Sequence, residues 1–208
     1  MLIIQPIQKQ QRITAYDFAR GIAVLGMFLM NFKIVMQDNT RPVEGGLELF
    51  LQACEGRFGA LFVMLAGIGV SLMTRRARQS RDIGLLNKQR KILLFRAVFL
   101  FLTGILFMPV WPADILHYYG IYIGMTLLIL GWPEKWLIGV AAVVTAGFTV
   151  LFFLFNWEQG WDFGRLVYTD FWTTSGFISN TFFNGFHPVF PWLAFFIFGM
   201  VMGRIDLQ

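Results

Sequence analysis

Two histidines and a handful of charges sit in strongly apolar surroundings, and they carry whatever chemistry this sequence can do. In Trp111-Pro112-Ala113-Asp114-Ile115-Leu116-His117-Tyr118-Tyr119-Gly120, Asp114 and His117 stand three apart. On a helix that spacing puts them on one face. A carboxylate there fixes the imidazole tautomer and prepares a general base, although the same pair also suits a hydrogen-bonded histidine inside a bundle. His187, in Asn184-Gly185-Phe186-His187-Pro188, is the rival base. Asp17 and Arg20 repeat the three-residue spacing. They read either as an interfacial pair with a snorkelling arginine or as fixed charge in a vestibule where Arg20 meets a phosphate. The Asn31 amide both donates and accepts, so it can bridge helices or orient a substrate carbonyl. Glu55 and Arg57 flank Gly56, where a structural ion pair competes with a substrate-binding role. Two histidines and Cys54 are too few and too scattered for a zinc site, so no metal is expected. No phosphate loop or nucleophilic serine motif is present.

Composition decides the class of the elements that hold these residues. The chain of 208 residues is 57% hydrophobic and 14% charged, whereas a soluble surface needs roughly 25% charge. Its apolar residues come in runs near the length that crosses a hydrocarbon core about 30 Å thick. The fold class is therefore all-α integral membrane: one transmembrane helical domain over 1–208, a bundle of about six spans. These are placed at 18–36, 58–73, 92–110, 115–130, 136–155 and 189–202. Pro109 and Pro112 separate the third span from the fourth, and Trp132 with Pro133 separates the fourth from the fifth. Pro188 and Pro191 hold the chain extended and then open the sixth, since proline suits a first helical turn. The segment 171–186 is read as lying along the interface or re-entering. The stretch from Gln5 to Arg12 is too polar for a cleavable signal peptide.

Orientation follows from Lys and Arg. Arg75, Arg76, Arg78, Arg81, Lys88, Arg90 and Lys91 crowd one connection against Asp82 alone. With six spans, Lys9, Arg12, Lys135 and Arg204 fall on that same side, which should be cytoplasmic together with both termini. The opposite loops are acidic: Asp38, Glu44, Glu48 and Glu55 stand against Arg41, and Glu158, Asp162 and Asp170 against Arg165. The net charge of +5 thus reports topology and contact with anionic lipid rather than nucleic acid. Arg96, one turn past Lys91 and Ile92, snorkels inward. Gly67 with Ser71, Gly120 with Gly124, and Gly199 with Gly203 lie four apart, a spacing that lets helices approach closely in lipid.

Taken together, these segments resemble a bacterial membrane protein family related to the catalytic domain of heparan-alpha-glucosaminide N-acetyltransferase. The resemblance rests on four stretches. The first is Arg12-x4-Asp17-x2-Arg20-Gly21-Ile22-Ala23-x2-Gly26 ending in Asn31, and the second is Arg57-Phe58 leading to Leu65-Ala66-Gly67-Ile68-Gly69. The third is Ala113 through Ile121, and the fourth is Asn184-Gly185-Phe186-His187-Pro188 with Pro191-Trp192 through Gly199-x3-Gly203-Arg204. The resemblance implies acetyl or other acyl transfer from coenzyme A on the cytoplasmic side to an extracytoplasmic acceptor such as a sugar. No bound cofactor is implied, only acetyl-coenzyme A or another acyl-coenzyme A as donor substrate. It places Asn31 near the reaction and Glu55 where the family has an acid. The family's catalytic histidine after span one has no counterpart, since no histidine occurs between Lys33 and Arg57. Relatives continue with further spans, so a shortened member and the N-terminal half of a longer architecture both fit.

The expected function is a membrane-embedded acyltransferase in the cell inner (plasma) membrane, multi-pass. Asp114, His117, His187 and Asn31 would be catalytic, Arg20 and Asp17 would bind the donor, and Glu55 and Arg57 would bind the acceptor. The alternatives are a transporter or permease for a small metabolite, and a non-catalytic subunit. Partners would be the lipid bilayer, a second copy or a second membrane subunit.

Overall fold

The computed structural model describes residues 14–36 and 45–205. Lys9, Arg12, Asp38, Arg41 and Glu44 lie outside these described residues. The chain is mostly helical, as its apolar runs require, and it forms two compact units, 1–62 and 63–208.

In the first unit, α1 (Thr14–Met36) begins with Asp17 in its first turn and ends with Lys33 in its last, each matching the helix dipole. Its apolar side chains are largely exposed, among them Phe18, Leu25, Phe28 and Val35. Gly26 is where Phe58 approaches, and a Cβ there would collide with that ring. A second helix, α2 (Gly46–Cys54), occupies what the sequence reads as an outer loop. Gly45 and Gly56 bound it at φ 110° and φ 72°, values that only glycine adopts without strain. Lys33 and Glu55 form an ion pair at 3.2 Å.

α3 (Arg57–Gln79) leads into the second unit. There α4 (Ile83–Phe107) is capped by the Asp82 carboxylate, which accepts from the Leu85 N–H at 2.9 Å. α5 (Leu116–Ile129) packs along α4, and α6 (Glu134–Leu154) along α8 (Val189–Met202). Between α6 and α8 run a two-residue antiparallel hairpin, β1 (Trp161–Asp162) and β2 (Val167–Tyr168), then α7 (Thr174–Ser179) and a π-helical turn, Asn180–Asn184. Phe190 is non-helical at φ −96°, ψ 115°, so regular helix starts at Pro191.

The small residues do what lipid packing asks of them. A Cβ on Gly67 would collide with the Phe196 carbonyl, one on Gly199 with the Met64 carbonyl, and one on Gly203 with Ile68 and Ser71. Gly120 sits against the Ala97 carbonyl and Phe101 of α4. α3 with α8, and α4 with α5, therefore pack backbone to backbone. Gly124 is the exception, with nothing within 4 Å among the described residues.

Among the described residues, three stretches are long and apolar enough to cross a membrane: Ala15–Met36, Leu49–Gln79 and Glu134–Leu154. A fourth candidate is the bent pair Thr174–Asn184 and Val189–Met202, which meet at 48°. The remaining expected spans fall short for identifiable reasons. α4 carries Lys88, Arg90, Lys91 and Arg96. α5 has 14 residues, or about 21 Å of rise against a core of about 30 Å. Arg96 is exposed on α4 beside Phe95 and Phe99.

Candidate active site

The Asp114–His117 pair forms as its spacing predicts. Phe107, Pro109 and Pro112 end α4 and turn the chain, and the Asp114 N–H closes that turn on the Trp111 carbonyl at 3.1 Å. The Asp114 carboxylate then caps α5. One oxygen accepts from the Leu116 N–H at 3.1 Å, and the other accepts from the His117 N–H at 3.1 Å and faces His117 Nδ1 at 2.9 Å. Gly104 of α4 leaves the room for this, since a Cβ there would run into Asp114 Oδ2 and the His117 backbone.

The electrostatics follow from these bonds. Burial alone would push the Asp114 carboxyl up, but the His117 ring and the two backbone N–H groups outweigh it and hold Asp114 below the usual carboxylate range. An ionised acceptor requires Nδ1 to carry the proton, so in the neutral ring Nε2 bears the lone pair. His117 is fully buried, and Nε2 has no hydrogen-bond partner among the described residues. A fixed tautomer with an unengaged Nε2 is the arrangement of a general base.

Around it lies a polar network that sequence spacing did not single out. The His117 ring lies 3.8 Å from the Tyr118 ring and 6.0 Å from that of Phe171. Tyr118 donates its hydroxyl to Asn180 Oδ1 at 2.7 Å. The Asn184 amide is fully engaged: Nδ2 donates to the carbonyls of Trp157 and Gln159 at 3.0 and 2.8 Å, and Oδ1 accepts from Tyr168 and Ser179 at 3.1 and 3.2 Å. Asn184 therefore fastens the hairpin segment to the π turn. The signal for these groups was the polar run Ser179-Asn180-Thr181 and the paired tyrosines Tyr118-Tyr119 inside apolar stretches.

His187 joins the same cluster. Its ring is 6.0 Å from Tyr118 and 4.6 Å from Trp192, and its carbonyl accepts from the Tyr122 hydroxyl. Both imidazoles are thus neighbours of one tyrosine ring. His187 Nδ1 is buried without a hydrogen-bond partner among the described residues. Beside the cluster is a cavity of about 150 Å³, lined by Phe171, Asn180, Tyr168, Trp161, Phe186 and Pro112 among others. It has room for a small group and not for a nucleotide.

The other predicted residues belong to the first unit. Arg20 and Asp17 pair at 3.4 Å, both about two-fifths exposed. Glu55 pairs with Lys33 rather than with Arg57, because the turn at Gly56 separates the two side chains that sequence places side by side. Arg57 is exposed, and Asn31 is half-buried near the end of α1. Among the described residues no three His, Cys, Asp or Glu side chains gather to hold a metal ion.

Comparison with known proteins agrees with the motifs. The family model described as heparan-alpha-glucosaminide N-acetyltransferase, catalytic, matches residues 12–208. An uncharacterized 39.9 kDa protein in the amylase 3' region of Bacillus acidopullulyticus is 30% identical over 121 residues, which is 56% of this chain and 34% of that protein. The match thus spans about a third of the relative's length. No solved structure matches. With nearly its whole length matched, this acyltransferase-like membrane protein belongs to the heparan-alpha-glucosaminide N-acetyltransferase catalytic-domain family.

Proposed function

We propose that this chain transfers an acetyl or other acyl group from coenzyme A to an extracytoplasmic acceptor such as a sugar, with His117 as the base. The observation that carries the reading is the buried imidazole pinned at Nδ1 by Asp114, with Nε2 unengaged. His117 Nε2 takes the proton from an acceptor hydroxyl or amine as that atom attacks the thioester carbonyl. The carbon–sulfur bond breaks, and the departing thiolate recovers the proton from the imidazolium. His187 is the second candidate for either proton transfer. In this reading the protein spans the plasma membrane six times, with both termini in the cytoplasm. The sequence motifs assign Asn31 a catalytic role, Arg20 with Asp17 the donor phosphates, and Glu55 with Arg57 the acceptor.

The test is transfer of labelled acetyl from acetyl-coenzyme A to amino sugars by the purified chain in proteoliposomes. His117→Ala is expected to abolish transfer and His187→Ala to reduce it. Full activity in both variants would sink the assignment. Acetyl-coenzyme A binding to Arg20→Ala and Asn31→Ala checks the donor roles separately.

One observation favours a second reading, transport of a small metabolite. The break between Asn184 and Val189 divides two apolar helices, and discontinuous helices form substrate sites in many transporters. Uptake of an amino sugar without chemical change would establish that reading over the first.

A further inference from the structure

The turns α3–α4 and α5–α6 and the end of α8 border an open cleft of about 650 Å³. Arg78, Arg81 and Arg204 line it, together with the carboxylates of Asp82 and Glu134. Both carboxylates are occupied: Asp82 caps α4 through the Leu85 N–H, and Glu134 pairs with Arg204 at 3.2 Å. Three guanidinium groups against two engaged acids leave the cleft cationic.

Two of these arginines are built in rather than waving in solvent. The Arg204 side chain is only 6% exposed. It donates to the carbonyls of Trp132 at 2.6 Å and Leu130 at 3.2 Å, while its Nε is buried with no partner among the described residues. Arg78 donates from Nη2 to the Ser71 carbonyl at 2.8 Å and the Ser71 hydroxyl at 3.0 Å, and its Nε reaches Thr74. Arg81 is exposed at the rim, on a backbone with φ 53°. The basic run from Arg75 to Lys91 surrounds this end.

Large apolar groups stand exposed at the same turns: Ile83 at 72%, Trp136 at 59% and Trp132 at 44%. Tryptophans at the ends of apolar helices are the mark of the headgroup level of a bilayer. A fixed cationic cleft at that level, beside exposed indoles, suits a phosphate that carries acyl chains.

We infer that this cleft is the headgroup site of an anionic phospholipid, with its phosphodiester on Arg81 and Arg204 and its chains beside Trp132 and Ile83.

The experiment is native mass spectrometry of the purified full chain, titrated with phosphatidylglycerol, phosphatidylcholine, glycerol 3-phosphate, coenzyme A and inorganic phosphate. Phosphatidylglycerol should be retained at one site in preference to phosphatidylcholine. Each arginine near the surface is worth about 1 kcal/mol toward an anionic headgroup, so Arg81→Gln should weaken retention about fivefold. Arg81 is exposed at the rim, so Arg81→Gln reads binding without removing the carbonyl contacts that Arg204 makes. Trp132→Ala should weaken phosphatidylglycerol and leave inorganic phosphate unaffected. Equal retention by wild type and Arg81→Gln would overturn the site. Binding of glycerol 3-phosphate or coenzyme A as tight as that of the lipid would overturn its assignment to a phospholipid.

Discussion

Asp17–Arg20 and Asp114–His117 are the same device in sequence, an acid followed three residues later by a nitrogen base near the start of a helix. Folded, they diverge. Asp17 and Arg20 face each other at 3.4 Å with side chains 39% and 43% exposed. Asp114 and His117 stand at 2.9 Å with side chains 3% and 0% exposed, and the carboxylate also takes two backbone N–H groups. An exposed pair contributes about 0–1 kcal/mol because its environment screens it and its side chains must be ordered. A buried pair is costly to break, since the group left behind keeps its desolvation penalty. The difference teaches that spacing creates a pair and burial decides whether it is a surface ornament or a fixed chemical group.

The strongest way to break that comparison is His117→Gln. If the buried pair is the base, kcat/KM for acetyl transfer should fall about 10²–10⁴-fold, read in the proteoliposome assay, while Arg20→Gln should leave the chemical step nearly intact. Next comes Asp114→Ala, which strands the imidazole and two backbone donors. Unfolding in detergent should register a loss of about 1–3 kcal/mol for each buried donor left without a partner.

Gly104→Ala tests the same contact from the facing helix. Its new methyl group meets Asp114 Oδ2 and the His117 backbone, so a loss of about 1–3 kcal/mol is expected from overpacking. Alanine at Gly124, where nothing lies within 4 Å among the described residues, provides the matched control and should be neutral by the same measurement.

Acid sharpens the contrast further. The folded Asp114 pKa lies below its ordinary value, so the unfolded chain binds the proton more readily. The stabilisation is therefore complete above the ordinary carboxylate pKa of about 3.9 and lost as pH falls through the lowered folded value. A melting-temperature profile in acid should show that slope in the wild type and lose it in Asp114→Asn. The smallest effect belongs to Asp17→Ala, expected to cost less than about 1 kcal/mol in the same unfolding experiment. A cost as large as that of Asp114→Ala would erase the distinction between the two pairs.

How much of this was readable beforehand differs from place to place. The Gly67, Gly199 and Gly203 contacts were legible because close helix approach admits only small side chains, and Gly120 was legible for the same reason. The pairing of Glu55 was not, because the left-handed turn at Gly56 turns Arg57 away and Lys33 arrives from another helix. α2 was hidden inside a loop reading based on its flanking acids, although its hydropathy runs on into α3. The network of Asn180, Asn184, Tyr118 and Tyr168 was invisible as a network, since its members come from segments up to 66 residues apart (118 to 184).

By itself the sequence determined a helical membrane protein, its family, and the one-face geometry of Asp114 with His117. Those features depend on composition and on contacts within one helical turn, which local chemistry dictates. Only the tertiary structure decided which pair is buried, which tyrosine both histidines share, and which arginines are clamped by carbonyl oxygens. Burial and long-range hydrogen bonds depend on where distant segments meet, and no local pattern of residues records that.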